Sequence, residues 1–212
     1  MPRCGALILA GGRSSRFGEE KALFRWSGRP LIDHVLSAVR AGVDPDLLMV
    51  GVRAPELHSD LLAHLSGLDL KIITDNEAIS GPLAGLSAGL QNAASHSVGW
   101  VFVCGCDMPE MAPQLLTGLR ERALSARTSA AIVPVQRAHV EPLCAFYHAM
   151  RLPPHLDAFA ASGGRSLIGL IRRLKEDDLA DMVDERGLAQ LDTGWRRSLT
   201  NINHKDDLDR LS

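Results

Sequence analysis

A pair of glycines followed by positively charged side chains lies near the start of the chain. Residues 9–21 read Leu-Ala-Gly-Gly-Arg-Ser-Ser-Arg-Phe-Gly-Glu-Glu-Lys. Gly11 and Gly12 would let the backbone approach a ligand closely and turn its N–H groups toward negative oxygens. Arg13, Arg16 and Lys21 would add positive charge above the same loop, which suits a triphosphate. The spacing matches neither the P-loop pattern nor the dinucleotide-binding pattern, and the alternative is a glycine-rich surface turn with solvated arginines.

An aspartate follows an apolar run in the middle of the chain. Asp107 belongs to Cys106-Asp-Met-Pro109 and comes soon after the run 100–104. At the carboxyl end of a buried strand it could hold a hard cation such as Mg²⁺ beside phosphates. As an unpaired acid in that place it would add little to stability. The alternative is that Asp107 caps the helix expected after Pro113, and the local sequence favours neither interpretation.

A third candidate site follows the apolar run 71–73. Asp75 comes directly after it, and Gly81-Pro82 marks a sharp turn into a helix. Proline suits the first position of a helix, and such a turn can lay backbone against a flat base or a ribose. An ordinary connection between a strand and a helix is the alternative, and the local sequence favours it.

The elements that must position these residues are visible as short apolar runs separated by stretches with helical spacing. Leu31 to Val39 shows the helical pattern, with Pro30 at its start. Short runs that are apolar on both faces are typical of a sheet covered by helices on both sides. The alternation predicts an α/β fold: a three-layer, doubly wound, mainly parallel sheet in one domain spanning 1–212. The predicted strands are 6–9, 47–50, 71–73, 100–103 and 130–133.

The final third of the chain is less regular. Its pattern predicts a strand from Val140 to Tyr147, and Pro153-Pro154 is expected to interrupt the chain before a helix near His155. An amphipathic helix with a basic face is expected over 165–174, an edge strand over 198–202 and a short helix capped by Asn203. The acidic stretch 175–192 shows no clear pattern and is left unassigned.

Composition excludes several classes of function. Lys plus Arg number 23 and Asp plus Glu number 25 in 212 residues, far from the positive balance of a protein that coats nucleic acid. No apolar run approaches the ~20 residues of a membrane helix. The eight histidines lack zinc-site spacing, and the four cysteines lack paired spacing. The expectation is a cytoplasmic protein with free, buried thiols and neither nucleic acid nor membrane as partner.

Together, these motifs resemble the molybdenum-cofactor guanylyltransferases over nearly the whole chain. The matching segments are Leu9-Ala-Gly-Gly12 with Arg16-Phe-Gly18 and Lys21, Gly28-Arg-Pro-Leu31, Thr74-Asp75, Gly81-Pro-Leu-Ala-Gly85, Cys106-Asp-Met-Pro109 and Asn201-Ile-Asn203. The opening loop is shared with many nucleotidyltransferases, whereas segment 81–85 is similar to the guanylyl branch. The resemblance implies a Rossmann-like nucleotidyltransferase fold that transfers GMP from GTP to the terminal phosphate of molybdopterin and releases pyrophosphate.

The resemblance also implies roles for individual residues. Lys21 would contact the phosphates, with Arg16 beside it as a second catalytic cation, and Asp107 would hold Mg²⁺, the expected cofactor. The nucleotide would lie against Leu9, Ala10, Gly11, Gly12, Lys21, Asp75, Gly81, Pro82 and Asp107.

Two alternatives stay open from the sequence. One is a cytidylyltransferase or a sugar-phosphate nucleotidyltransferase on the same fold. The other is a nucleotide- or cofactor-binding partner protein without turnover. The expected partners are GTP and molybdopterin, and a molybdoenzyme or a cofactor-delivery protein could receive the product.

Overall fold

The computed structural model describes residues 3–10, 20–75, 79 and 81–202. The strands in these ranges are β1 (Cys4–Leu9), β2 (Arg25–Trp26), β3 (Arg29–Pro30), β4 (Leu47–Val52), β5 (Lys71–Thr74), β6 (Trp100–Gly105), β7 (Ala131–Gln136), β8 (His139–Val140), β9 (Cys144–His148) and β10 (Ala180–Val183). The α-helices are α1 (Leu31–Val43), α2 (Ser59–Leu65), α3 (Pro82–Ser95), α4 (Pro113–Ser125), α5 (Pro153–Ala161), α6 (Leu167–Glu176), α7 (Glu185–Leu191) and α8 (Trp195–Ser198).

A central sheet has the strand order β10-β7-β9-β6-β1-β4-β5, and β8 pairs with β7 outside this path. Strand β1 is parallel to both of its neighbours, β4 and β6, and β4 is parallel to β5. Strand β9 runs antiparallel between β6 and β7. The prediction of a mainly parallel sheet is therefore confirmed, and the short strands β2 and β3 form a separate hairpin.

Two hydrophobic layers cover the two faces of the sheet. Ala6 and Ile8 of β1 pack into a cluster with α1, α2, α4, α7 and α8, whereas Leu7 points to the opposite cluster with α3, α5 and α6. Because both faces are buried, the central strands β1, β4 and β6 have no charged or polar amide side chains at any position, rather than an apolar residue at alternate ones. This arrangement confirms the predicted three-layer, doubly wound fold.

Prolines mark the starts of several helices. Helix α1 begins one residue after Pro30, and Pro82 and Pro113 begin α3 and α4. The fixed φ of proline fits the first helical turn, where its missing N–H is not needed. Pro153-Pro154 acts in the same way, since the pair opens α5. The helix expected near His155 is therefore confirmed, and it begins two residues earlier than expected, at Pro153.

Two expectations for the final third were wrong. The strand predicted from Val140 to Tyr147 is divided between β8 and β9, because Cys144 N donates to Glu141 O and closes a turn around Pro142. The stretch 198–202 forms no strand: the buried Trp195 begins α8, and Ile202 packs against Leu31 instead of joining a sheet edge.

The amphipathic helix predicted over 165–174 is α6, which begins and ends two residues later than expected. Strand β10 and helix α7 lie within the stretch 175–192, which the sequence pattern leaves unassigned. The expected helix cap, Asn203, lies outside the described residues. Within the described ranges, no helix has the length and apolar character needed to cross a membrane.

Candidate functional site

The carboxyl ends of four neighbouring parallel strands form one edge of the sheet. Strands β1, β4, β5 and β6 end there, and Ala10, Arg53, Asp75 and Asp107 follow them within two residues. Loops at this edge are where open α/β sheets bind their ligands. The fold thus brings candidate residues from distant parts of the sequence to a single edge.

A narrow cleft of about 150 Å³ opens between this edge and α3. Its walls are mostly apolar, and of the described residues that line it only Arg53 and Asp75 are charged. The lining residues are Leu9, Gly51, Arg53, Asp75, Gly81, Pro82, Gly85 and Leu143. Leu9, Asp75, Gly81 and Pro82 were predicted from the sequence as nucleotide-binding residues, and the structure brings them together. Ala10 is buried beside the cleft and is not part of its lining; its amide donates to Gly51 O.

Two glycines give the cleft its shape. Gly81 has a φ of +71°, a conformation that residues with a side chain rarely adopt, and it precedes the first turn of α3. A Cβ at Gly85 would lie 2.7 Å from Leu9 Cδ2 and 3.2 Å from Asp75 Oδ1. A side chain at this position would therefore push against both the apolar wall and the carboxylate.

The Asp75 carboxyl lies in a partly desolvated position. Burial raises its pKa above the ordinary value, and the positive charge of Arg53 lowers the pKa in part. The carboxylate is therefore able to interact strongly with hydrogen-bond donors that enter the cleft.

Sequence reasoning missed Arg53 and Leu143. Arg53 could have been found only from its place directly after the predicted second strand, since a single arginine carries no motif. Leu143 reaches the cleft because β9 runs antiparallel to β6, so the start of β9 lies at the same edge as the end of β6.

A second cluster pairs two of the three residues that were predicted as catalytic. Lys21 Nζ donates to Asp107 Oδ2 at 2.8 Å, and the two side chains are only 19% and 22% exposed. A Cβ at Gly105 would collide with Asp107 Oδ1, so the glycine leaves room for this carboxylate. The ion pair places a cation from the end of the glycine-rich loop beside the carboxyl end of β6.

The capping interpretation of Asp107 was wrong. Helix α4 begins at Pro113, and its preceding residue Ala112 makes no cap with its own side chain. The Ala112 N–H donates instead to Ser198 Oγ at 2.9 Å, and Ser198 lies 86 positions later in the chain. Asp107 is therefore available for ion pairing at the edge of the sheet.

Neighbouring contacts hold this pair in place. Ile202 N donates to the backbone oxygen of Asp107 at 2.9 Å, and Ile202 is buried against Leu31. On the lysine side, Glu20 Oε2 lies 2.8 Å from His58 Nδ1, and both side chains are largely buried. The backbone on both sides of the ion pair is thus fixed by contacts from remote segments.

The cysteines near the site are structural. All four are buried and free of disulfides, as the sequence predicts. Burial and the charge of Asp107 raise the pKa of Cys106 to about 12, with Lys21 opposing the shift. Burial therefore favours the protonated form of this thiol at neutral pH, and the protonated form is a poor nucleophile.

The described residues limit which metal the site could hold. They contain no group of three or more His, Cys, Asp or Glu side chains arranged around one point. Mg²⁺ is commonly held by one or two carboxylates together with phosphate oxygens and water, so Asp107 alone would fit this ion. The ammonium of Lys21 at 2.8 Å shows that the Asp107 carboxylate accepts a cation at this edge. The other predicted site residues, Gly11, Gly12 and Arg16, lie outside the described residues.

Solved structures with a similar fold show the class of protein to which this chain is similar. A nucleotidyl transferase from Methanothermobacter thermautotroptrophicus shares the fold, with a TM-score of 0.71 and 21% identity over 99% of this chain and 95% of that one. Molybdopterin-guanine dinucleotide biosynthesis protein A from Archaeoglobus fulgidus has a TM-score of 0.77 and 26% identity, covering 97% and 95% of the two chains. The fold is that of a nucleotidyltransferase.

The sequence comparisons give the family. The family model of the MobA-like NTP transferase domain matches residues 6–178, so the chain belongs to this family of nucleotidyltransferases. A molybdenum cofactor guanylyltransferase from Pseudomonas putida is 35% identical over 98% of this chain and 97% of its own length. One from Pseudomonas fluorescens is 34% identical over 91% of each chain.

Proposed function

We propose that this enzyme transfers GMP from GTP to the terminal phosphate of molybdopterin, forming molybdopterin guanine dinucleotide and pyrophosphate. Relatives named molybdenum cofactor guanylyltransferase match it over nearly its full length. The observation that carries the proposal is the pairing of an apolar cleft containing Asp75 with the Lys21–Asp107 pair at the same edge of the sheet. The buried free thiols fit a reaction in the cytoplasm.

The cleft selects guanine through Asp75. A guanine base presents two adjacent donors, N1–H and the 2-amino group, and one carboxylate accepts from both. Cytosine, uracil and adenine lack this pair of adjacent donors. The apolar walls around Asp75 exclude water and strengthen these hydrogen bonds. Glycine at position 85 lets the carboxylate keep its place beside α3.

The phosphates extend from the cleft toward Lys21. An oxygen of the molybdopterin phosphate attacks the α-phosphorus of GTP in line, and the bond from this phosphorus to the oxygen that bridges to the β-phosphate breaks. The nucleophile is already ionised, so no general base is required. The protein's contribution is to position the two substrates and to stabilise charge on the departing pyrophosphate through Lys21, Arg16 and the N–H groups of Gly11 and Gly12.

Asp107 is the residue that would hold Mg²⁺. When bound there, the ion would neutralise charge on the phosphate oxygens. Lys21 balances the Asp107 carboxylate at 2.8 Å, and in the proposed reaction it would exchange this contact for a phosphate oxygen. This exchange lets one lysine stabilise the free enzyme and then the leaving group.

Thermal unfolding in the presence of GTP, CTP or UTP, each with Mg²⁺, tests the proposal. Only the true ligand should raise the midpoint strongly, since binding to the native state stabilises it by mass action. Asp75→Asn should abolish the shift caused by GTP. Asp69→Asn, which removes the same charge at an exposed position, is the matched control and should keep the shift.

Pyrophosphate release then separates catalysis from binding. Release should require both GTP and molybdopterin. A shift caused by CTP or UTP instead of GTP would favour another nucleotidyltransferase on this fold. A shift caused by GTP with no release would favour a binding protein without turnover.

A further inference from the structure

Arg53 and Asp75 place opposite charges in one small cleft. Both residues line it, and the two side chains are close enough for the charge of Arg53 to act on the Asp75 carboxyl. They follow β4 and β5, which are adjacent parallel strands, so the two side chains leave the sheet next to one another. All other described lining residues are apolar or glycine.

The hydrogen-bonding groups of a guanine base complement a carboxylate and a guanidinium that lie side by side. Its N1–H and 2-amino donors lie beside O6, and N7 follows O6 on the next edge of the ring. The fork of an arginine side chain matches O6 and N7, which is the most common specific contact of arginine with guanine in nucleic-acid recognition. A carboxylate and a guanidinium side by side thus match the donors and acceptors of one guanine.

We propose that Arg53 is a specificity-determining residue that donates hydrogen bonds to O6 and N7 of the guanine base while Asp75 accepts from N1 and the 2-amino group. This inference rests on the proposed function. It goes beyond it by assigning the second half of base recognition to a residue that no sequence motif marks.

The geometry of the cleft supports a base held edge-on between the two charges. Gly51 and Gly85 have no side chains, and a Cβ on either would lie close to Leu9, at 3.1 and 2.7 Å from its Cδ2 atom. Leu9 therefore packs directly against both glycines, and the cleft of about 150 Å³ beside these three residues has an apolar wall with no side chain at position 51 or 85. A flat ring fits such a space, and its polar edge would face Arg53 and Asp75.

Two GTP analogues test the two contacts separately. 7-Deaza-GTP lacks the N7 acceptor, and inosine triphosphate lacks the 2-amino donor. Dissociation constants for GTP and both analogues would be measured by calorimetry with the wild type and Arg53→Met. Arg40→Met, which removes an exposed arginine of α1 away from the cleft, is the matched control.

The wild type should bind each analogue about tenfold more weakly than GTP, the lower range of discrimination for one specific pair. Arg53→Met should bind GTP about tenfold more weakly, and replacing N7 should then change its affinity less than about twofold. The penalty for inosine triphosphate should persist in Arg53→Met, because Asp75 is intact. Arg40→Met should behave as the wild type.

Any other result contradicts either the role of Arg53 or the proposed function. An unchanged penalty for 7-deaza-GTP in Arg53→Met would overturn the assignment of Arg53 alone. Loss of both penalties would show that the base is no longer held in the same orientation, and would also overturn it. Failure of the wild type to bind GTP would instead overturn the proposed function.

Discussion

Replacing Asp107 by asparagine removes one charge from the ion pair at the sheet edge with little change in size. The backbone oxygen of Asp107 keeps its hydrogen bond from Ile202, and Gly105 still leaves room for the side chain. Lys21 loses the carboxylate that lies 2.8 Å from its ammonium group. The variant thus isolates the charge of residue 107 from its shape.

The expected effect of Asp107→Asn on the free energy of unfolding is small, whereas its expected effect on turnover is large. Opposite charges at 2.8 Å attract by about 6 kcal/mol at an effective dielectric constant of about 20. Desolvation and side-chain ordering offset most of this attraction at sites about one fifth exposed, so the free energy of unfolding should fall by about 1–2 kcal/mol. Turnover should fall by about 10³-fold or more, since lost metal positioning costs several kcal/mol in the barrier. The sequence alone predicts that an unpaired Asp107 adds little to stability, and the ion pair with Lys21 corrects this expectation.

The assay follows pyrophosphate release against Mg²⁺ concentration, beside urea unfolding of each protein. Asp181→Asn is the matched control, because it breaks the Arg122–Asp181 ion pair far along the chain. It should lose about 1 kcal/mol or less of stability and no activity. An Asp107→Asn protein that is destabilised but keeps the wild-type response to Mg²⁺ would refute the metal role.

Three further predictions concern charge and pH. Lys21→Met should reduce turnover about 100-fold or more while circular dichroism stays unchanged, because the proposed role of the lysine is to contact phosphates and it adds little to the core. Normal transfer by this variant would contradict that role. GTP affinity should weaken as the pH falls from 7.5 to 5, because burial raises the pKa of Asp75 and the protonated carboxyl accepts fewer hydrogen bonds. Asp75→Asn should bind GTP weakly at both pH values, and calorimetry would measure both affinities. Burial lowers the pKa of His148 from 6.5 to about 4, so the folded state resists protonation and stability should fall as the pH drops from 6.5 to 4, by about 2 kcal/mol. Urea unfolding at both pH values should show this loss in the wild type, and an equal loss in His148→Asn would exclude His148 as its source.

Much of the fold was predictable because its information is local. Strands buried on both faces are continuous apolar runs, and prolines at helix starts sit at fixed positions along the chain. Asp75, Gly81 and Asp107 could be placed at one edge because parallel strands share their carboxyl edge. No knowledge of the strand order was needed for that step.

The remaining site features depend on contacts between distant segments. Lys21 and Asp107 are 86 positions apart, and only the pairing of β1 with β6 brings their surroundings together. Arg53 enters the cleft because β4 lies between β1 and β5, an order that the local sequence does not encode. The stretch 198–202 was predicted as a strand, but Ser198 ends α8 and Ile202 packs against Leu31, a contact with a distant segment.

The mass of the reaction product shows which nucleotide the enzyme transfers and to which acceptor. Purified protein would be incubated with molybdopterin, Mg²⁺ and an equal mixture of GTP and CTP, and the dinucleotide formed would be identified by mass spectrometry. The proposed function predicts molybdopterin guanine dinucleotide, with one pyrophosphate released for each molecule formed, and loss of this product in Asp75→Asn. Formation of the cytosine dinucleotide, or the absence of any dinucleotide from protein that binds GTP, would contradict it.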